Sequence, residues 1–310
     1  MPNLREAARL LQTAIAKDPK FARAWETLGA VFVVSGFWGV NEQKDYQAAA
    51  LSAADTAIGL DPNLSMAYAV RGQVQFNMLP IDGKISWDQA LSSLEQGITN
   101  DSQNATALLW QGGNFLALGF MDRAAEYFTH CLQIDPFYET CRRFLALTHL
   151  YSGRAEEALR IYALGLEKGY VNSDAQFAPA ALARKEPLGA LGMLVQQYAD
   201  TPQLIQPVYR SLTDPKFSDH DRSDALALLE KLPPNPDSSI YSLWLLKAYD
   251  KIPAVTSDSP YVIWARDDAA WLKSSARKQM QVRWRLPEYW RTHGFPPQCR
   301  ALGTSEFECH

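Results

Sequence analysis

The feature that most constrains this chain is a 34-residue unit that runs without insertion from Ala105 to Tyr138. Numbered from Ala105, the unit has Gly112 at position 8 and Ala124 at position 20, where two antiparallel helices would cross at close range. Small side chains are needed at such a crossing, because larger ones would overpack an interior with almost no free volume. Pro136, at position 32, stops the second helix. The unit therefore predicts a packed helix pair.

The same frame recurs along the first half of the chain. Positions 20, 8 and 32 of successive units hold Ala7, Ala50, Ala90, Ala124 and Ala158; Gly29, Gly72, Gly112 and Ala146; and Pro19, Pro62 and Pro136, with Ser102 in the third unit. This pattern resembles the tetratricopeptide repeat. The resemblance implies an all-α fold, a right-handed tetratricopeptide solenoid, which we expect to be continued by degenerate helical hairpins and a C-terminal Trp-rich cap.

Three regions are predicted. Residues 1–172 form the solenoid, whose first repeat is truncated, and residues 173–256 form a degenerate helical extension divided by prolines. Residues 257–310 form a cap module that contains most of a tryptophan cluster running from Trp244 to Trp290. The chain opens in mid-repeat, so we expect that a natural upstream part is missing. The alternative is a short native N-terminus with a lone helix.

Composition and charge exclude several classes of protein. The chain has 310 residues, of which 47% are hydrophobic and 21% charged, and a formal net charge of -4. An acidic chain gives no electrostatic reason to expect direct nucleic-acid binding, so basic residues such as Arg277 are interpreted as part of a solvated helix face. No apolar run is long enough to span a membrane, and the N-terminus lacks the apolar core of a signal peptide. We expect no membrane insertion by this chain; an anchor in the full-length protein and a homo-oligomer stay open.

The four cysteines fall into two local pairs, Cys131 with Cys141 and Cys299 with Cys309, each ten residues apart. In the repeat frame, Cys131 and Cys141 occupy facing sites on successive helices, within bridging distance. A disulfide between Cys299 and Cys309 would pin the C-terminal tail and stabilise it by roughly 2 to 3 kcal/mol. Two even pairs favour an oxidising compartment, which we predict to be the periplasm. Four reduced cysteines in the cytoplasm are the alternative.

Catalytic signatures are absent from the sequence. It contains no phosphate-binding glycine-lysine loop, no paired-glycine fingerprint and no His-Glu-x-x-His. No Cys-x-x-Cys occurs, and the five histidines are scattered; His149 falls at a core position and His220 at a helix start. We therefore predict a protein that is not an enzyme and that has no cofactor, no catalytic residue and no metal site.

Two lengthened turns carry aromatic residues. Phe37 and Trp38 lie in the turn of the second repeat, and Trp87 lies at the end of the turn in the third. Loops on neighbouring repeats project from the same edge of a solenoid, so these aromatics are expected near one another. They either anchor a partner or cover the edge of the repeats, and the second role is favoured.

The remaining candidate for a functional surface is the concave face that the first helices of tetratricopeptide repeats form. By the resemblance, positions 2, 5, 9, 12 and 13 line this face. The residues at those positions that we predict to bind a partner are Arg23, Glu26, Met66, Gln73, Phe76, Asn77, Leu109, Leu116, Arg143, Leu147 and Leu150. The set is largely apolar and lacks a basic clamp for carboxylates. It suits an apolar helix, an extended segment, or the chain's own C-terminal region folded back.

A second resemblance covers nearly the whole chain. The segment CLQIDPFYETCRRFLALTHLYSGRAEEAL and the ending LPEYWRTHGFPPQCR followed by FEC resemble the extracytoplasmic repeat portion of bacterial membrane-anchored winged-helix transcriptional regulators. The ending is similar, too, to that of repeat proteins joined to a class III adenylate cyclase domain. Resemblance to the regulators implies a periplasmic protein-binding and sensory module. The alternative is a cytosolic scaffold or cyclase-regulatory repeat domain.

Overall fold

A computed structural model describes residues 2–37, 43–169, 175–231, 236–254, 260–266 and 268–310. Most of the described backbone is helical, which confirms the predicted all-α class. The α-helices are α1 Pro2–Lys17, α2 Ala22–Phe37, α3 Gln43–Leu60, α4 Ser65–Met78, α5 Trp87–Asn100, α6 Ala105–Leu118, α7 Met121–Ile134, α8 Glu139–Tyr151, α9 Ala155–Glu167, α10 Ala178–Ala183, α11 Pro187–Gln197, α12 Ile205–Thr213, α13 Asp219–Leu229, α14 Pro236–Leu245, α15 Ala269–Leu272, α16 Ser275–Arg283 and α17 Leu286–His293. Short 3-10 helices lie at Ala175–Phe177, Pro202–Leu204, Tyr249–Ala254 and Pro260–Trp264, and two strands follow: β1 Cys299–Leu302 and β2 Glu306–Cys309.

The chain divides into two compact units. Unit 1 comprises Met1–Phe115 and Asp122–Cys141, and unit 2 comprises Leu116–Met121 and Arg142–His310. The predicted three-part division at residues 172 and 256 stays a prediction, and the compact units divide the chain elsewhere. They do so because the last turn of α6 and most of α8 pack with the C-terminal half of the chain.

The helix crossings of unit 1 depend on small residues, as the repeat frame predicts. A Cβ added to Gly72 would lie 2.7 Å from Leu94 Cγ and 2.9 Å from the carbonyl oxygen of Ala90. A Cβ added to Gly112 would lie 2.7 Å from Cε1 of Phe128. Three position-20 alanines of unit 1 are fully buried: Ala50, Ala90 and Ala124. The position-8 glycines thus face neighbouring helices at the distances that a tight crossing requires.

The turn that ends each repeat is built on an aspartate. Asp135 Oδ1 accepts the backbone N–H of Phe137 at 2.9 Å, and its carbonyl oxygen accepts that of Tyr138 at 3.1 Å. Asp18, Asp61, Asp101 and Asp214, each the first residue after a helix, accept the same bond from the second residue that follows them. Asp214 lies in unit 2, so the turn of the repeats continues into the region predicted to be a degenerate extension.

Several helices of unit 2 end at a residue with left-handed backbone. Gly153 after α8, Lys185 after α10 and Lys247 after α14 have φ values of 78°, 62° and 57°. At the end of α14, the N–H groups of Lys247 and Ala248 donate to the carbonyl oxygens of Trp244 at 3.0 Å and Leu243 at 2.9 Å. This is the Schellman arrangement, in which glycine usually occupies the left-handed position. Two of the three helices use lysine instead.

Buried tryptophans form the core of the C-terminal part of unit 2. Trp264 and Trp290 are at most 2% exposed, and their indole N–H groups donate to the carbonyl oxygens of Ala117 at 3.0 Å and Leu118 at 2.9 Å. These carbonyls belong to the last turn of α6, and no later turn of the helix supplies N–H groups to bond to them. Gly119 follows with φ 89°, and a Cβ there would lie 2.6 Å from Trp264 Cζ2. The Trp-rich module thus caps α6.

The end of the chain is a β-hairpin instead of a loose loop. Strands β1 and β2 pair antiparallel, with Cys299 opposite Cys309. Arg277, predicted to lie on a solvated face, is 3% exposed and donates to the carbonyl oxygens of Ile263 at 2.7 Å and Cys309 at 3.2 Å. That prediction was wrong, because the guanidinium is buried among backbone carbonyls to which it donates. Burial lowers the pKa of Arg277 to about 10.

Candidate functional site

The predicted binding residues divide between the two units. In unit 1, Met66, Gln73 and Asn77 lie on one face of α4, since their spacing of seven and four residues returns to the same side of a helix. Gln73 is 5% exposed, and its Nε2 donates to Asn77 Oδ1 at 3.1 Å. Asn77 is half-buried, and its Nδ2 has no acceptor among the described residues. This amide donor is therefore unused.

Arg23 and Glu26 are placed differently although both lie on α2. Arg23 is exposed, whereas Glu26 is 8% exposed and its Oε1 accepts the backbone N–H of Ala67 at 3.2 Å. This hydrogen bond connects α2 to the first turn of α4. Desolvation raises the pKa of Glu26, partly offset by the hydrogen bond from Ala67 and by the charge of Arg23. Glu26 thus helps to hold the helices together, while Arg23 faces solvent.

The aromatic residues of unit 1 are mostly used in packing. Phe76 is 5% exposed and its ring contacts that of Trp87 edge-on, with centroids 5.7 Å apart. Trp87 is itself 3% exposed, so it covers the edge of its own repeat, which is the role the sequence favoured. The side chain of Phe37 and the whole of Trp38 lie outside the described residues.

Leu109, the predicted binding residue on α6, is 7% exposed and is therefore buried.

In unit 2 the chain's own C-terminal half lies against the predicted face. Leu116, Leu147 and Leu150 are all less than 5% exposed. The hydroxyl of Tyr151, which occupies position 13 of its repeat, lies 3.4 Å from the hydroxyl of Tyr241 on α14. The Phe144 ring lies edge-on to that of Tyr261, with centroids 5.1 Å apart. Arg143 is half-buried, and its guanidinium lies 5.6 Å from the centroid of the neighbouring Phe144 ring on the same helix.

Both predicted disulfides are present. Cys131 bonds to Cys141 in unit 1, and Cys299 bonds to Cys309 in unit 2. The first connects α7 to the start of α8. The second joins Cys299 at the start of β1 to Cys309 at the end of β2, which lie opposite each other in the hairpin. All four cysteines of the sequence are therefore paired.

Unit 2 contains one further feature that the sequence analysis missed. A cavity of about 400 Å³ is lined by residues from α10, α12 and α14, together with Lys247 and Asp268. These residues come from four separate segments, so no local spacing could have brought them together. Lysine at a helix end where glycine is usual is the only local signal that the sequence offered.

The comparisons with known proteins agree with this architecture. The family model "Tetratricopeptide repeat" matches residues 3–65 and 86–139, so these segments are tetratricopeptide repeats. The Pseudomonas aeruginosa protein pilF is 17% identical over 79% of this chain and 96% of its own, with a TM-score of 0.51. A tetratricopeptide repeat protein of Parabacteroides merdae is 15% identical over 79% of this chain and 93% of its own, with a TM-score of 0.52. No curated protein sequence matches the chain.

These likenesses establish the fold class. Tetratricopeptide arrays typically present extended surfaces to protein or peptide partners and are seldom catalytic themselves. Within the described ranges, no group of three or more His, Cys, Asp and Glu side chains could hold a metal ion. None of the helices described is both long and apolar enough to cross a bilayer.

Proposed function

We propose that this chain is a protein-interaction and sensory module, the extracytoplasmic part of a bacterial membrane-anchored transcriptional regulator. The observation that carries the interaction role is the unused amide donor of Asn77 on the face of α4. Polar groups inside folded proteins are nearly always paired, so this buried donor, which has no acceptor among the described residues, can bond to a partner only when the Asn77 side chain turns outward. Half-buried Met66 on the same face and exposed Arg23 on α2 complete the surface.

The partner is an extended segment of another protein. Its backbone carbonyls would accept from Asn77, and an apolar side chain would contact Met66. The predicted leucines of unit 2, Leu116, Leu147 and Leu150, are buried, so we place the partner surface in unit 1. A signal follows when the partner binds one state of the regulator more tightly than the other.

Site-specific photocrosslinking tests the surface. A photoreactive amino acid at position 23 or 77 is expected to capture the same partner, identified by mass spectrometry of periplasmic proteins. Leu60, 39% exposed at the end of α3, supplies the matched control position. A partner captured equally well from position 60 would contradict the proposal that the partner binds the face formed by the first helices of the repeats. Arg23→Glu in the full chain is expected to reduce capture from position 77 by about tenfold, because a carboxylate there repels the carbonyl oxygens of the partner's backbone.

The compartment has its own test. The two disulfides and the resemblance to periplasmic repeat portions support an oxidising location. Titration of the protein with a thiol reagent directly after lysis in alkylating buffer is expected to find no free thiol. Four free thiols would favour the cytosolic scaffold or cyclase-regulatory repeat domain instead.

A further inference from the structure

The cavity in unit 2 has the volume of a small-molecule site. Its volume of about 400 Å³ falls within the range of about 300 to 1,000 Å³ that is typical of ligand pockets. Five of the eight lining residues have apolar side chains: Pro179, Leu182, Ala183, Leu212 and Leu245. Such a wall binds an apolar body by removing its surface from water.

Trp244 contributes a polar group that nothing in the described structure uses. Its side chain lines the cavity and is 4% exposed, yet its indole N–H has no acceptor among the described residues. Three other tryptophans of unit 2 donate to backbone carbonyls at 2.9 to 3.1 Å: Trp264, Trp271 and Trp290. A buried indole N–H without an acceptor is unfavourable unless a ligand supplies one.

Lys247 places a positive charge at the same cavity. Its backbone is held in the left-handed conformation by the hydrogen bonds that end α14, although lysine is disfavoured there relative to glycine. The side chain is exposed, and it forms no ion pair within the described part of the chain. The available ammonium group beside the cavity makes Lys247 a candidate for binding an anion.

Asp268 limits the charge that the cavity accepts. Its Oδ2 accepts from the hydroxyl of Tyr249 at 2.6 Å, and its Oδ1 accepts the backbone N–H groups of Ala270 at 2.7 Å and Trp271 at 3.3 Å. These bonds give the carboxylate a structural role as the cap of α15. Its negative charge on the lining opposes anions and opposes those with two charges most strongly, so a ligand with one negative charge depends on Lys247 to offset this repulsion.

We propose that this cavity binds a small monocarboxylate with an apolar body. The carboxylate accepts from Trp244 Nε1 and pairs with the ammonium of Lys247, while the body lies against the leucines of α10, α12 and α14. Free carboxylic acids and apolar amino acids share this chemistry. The inference goes beyond the proposed partner surface, because every residue in it belongs to unit 2.

Three matched probes test the proposal on the full chain: 3-phenylpropanoate, phenylalanine and 3-phenylpropan-1-ol. Calorimetry is expected to give a Kd of about 1 mM or lower for at least one of the two carboxylates. The alcohol, which lacks the charge, is expected to bind at least tenfold more weakly. Binding should shift the indole N–H resonance of Trp244 in NMR spectra. Tighter binding of phenylalanine would identify amino acids as the ligand class, and tighter binding of 3-phenylpropanoate would identify free acids.

Substitutions distinguish an effect on ligand binding from an effect on the stability of the fold. Lys247→Gly removes the ammonium and relieves the left-handed strain, so it is expected to raise the thermal midpoint while weakening carboxylate binding at least tenfold. Lys185→Gly is the matched control, because it relieves the same strain after α10 but is not part of the lining. Trp244→Phe keeps an aromatic wall without the donor and is expected to weaken binding about fivefold.

Three outcomes would overturn the proposal. They are binding of the alcohol as tightly as the carboxylates, unchanged carboxylate affinity in Lys247→Gly, and no binding of either carboxylate at about 10 mM. None of them bears on the partner surface, which is tested by crosslinking in unit 1. The two proposals therefore fail independently.

Discussion

Units 1 and 2 use the same repeat turns but build their interiors differently. In unit 1, helices approach each other across glycine and alanine, so Gly72 leaves no room for a Cβ beside Leu94. In unit 2, bulky indoles fill the core, and Trp264 and Trp290 donate to backbone carbonyls at the end of α6. The same helical repeat can thus be completed by close contact with a neighbouring helix or by side chains that reach the backbone.

The face formed by the first helices of the repeats has a different role in each unit. Unit 1 leaves Arg23 exposed and the Asn77 amide donor unused, whereas unit 2 buries Leu147 and Leu150 and brings Tyr241 to Tyr151. The second unit therefore uses this face for its own folding. A face that the chain itself occupies cannot be inferred to be a binding surface from repeat positions alone.

The largest effect is expected from Trp290→Ala. The substitution removes a fully buried ring and its hydrogen bond to Leu118, and should destabilise unit 2 by about 4 kcal/mol. Hydrogen exchange followed by mass spectrometry should show faster exchange in α14 to α17, with α2 to α5 unchanged. Trp290→Phe, which keeps most of the ring volume, should have a smaller effect. Equal acceleration in both sets of helices would mean that the two units do not differ in what stabilises them.

A smaller effect is expected from Gly72→Ala in unit 1. The new Cβ would meet the backbone of α5 as well as Leu94, and overpacking of this kind destabilises by about 1 to 3 kcal/mol. Gly59→Ala in α3 is the matched control, because no atom lies within 4 Å of its added Cβ. The control should gain about 0.5 to 1 kcal/mol, since alanine favours helix more than glycine does. Denaturant unfolding of the two variants measures the contrast, and a stabilising Gly72→Ala would contradict a tight crossing.

The smallest effect is expected from Glu26→Gln. Desolvation raises the pKa of Glu26 in the folded protein, so the folded state binds its proton more tightly than the unfolded state. The contribution of Glu26 to stability is then most favourable at low pH and declines as pH rises from the unfolded pKa through the folded one. Glutamine should remove this decline and, at pH 7, stabilise unit 1 by less than about 1 kcal/mol.

Thermal unfolding of both proteins at pH 4 and pH 7 checks this expectation. The difference between variant and wild type should be larger at pH 7 than at pH 4. A difference of the opposite sign would mean that the charged carboxylate is favoured in the fold, and that Glu26 acts as an ion-pair partner of Arg23 instead of a desolvated acceptor for Ala67.

The predictions from sequence were most accurate where structure depends on local spacing. The crossings at Gly72 and Gly112, the aspartate turns, and the pairs of cysteines ten residues apart follow from residue type and interval. The β-hairpin at the C-terminus was missed, although the disulfide that closes it was predicted. Arg277 was misplaced because its acceptors, the carbonyls of Ile263 and Cys309, are distant in sequence.

The sequence by itself therefore determined the helix pairs of the first half of the chain, because each pair depends on residues within about 34 positions of one another. Only the tertiary structure decided which first-helix positions stay available. Burial of Leu147 and Leu150, capping of α6 by Trp264 and Trp290, and the cavity beside Trp244 and Lys247 all arise from long-range packing. Such packing depends on which segments meet in space, and no local interval in the sequence records it.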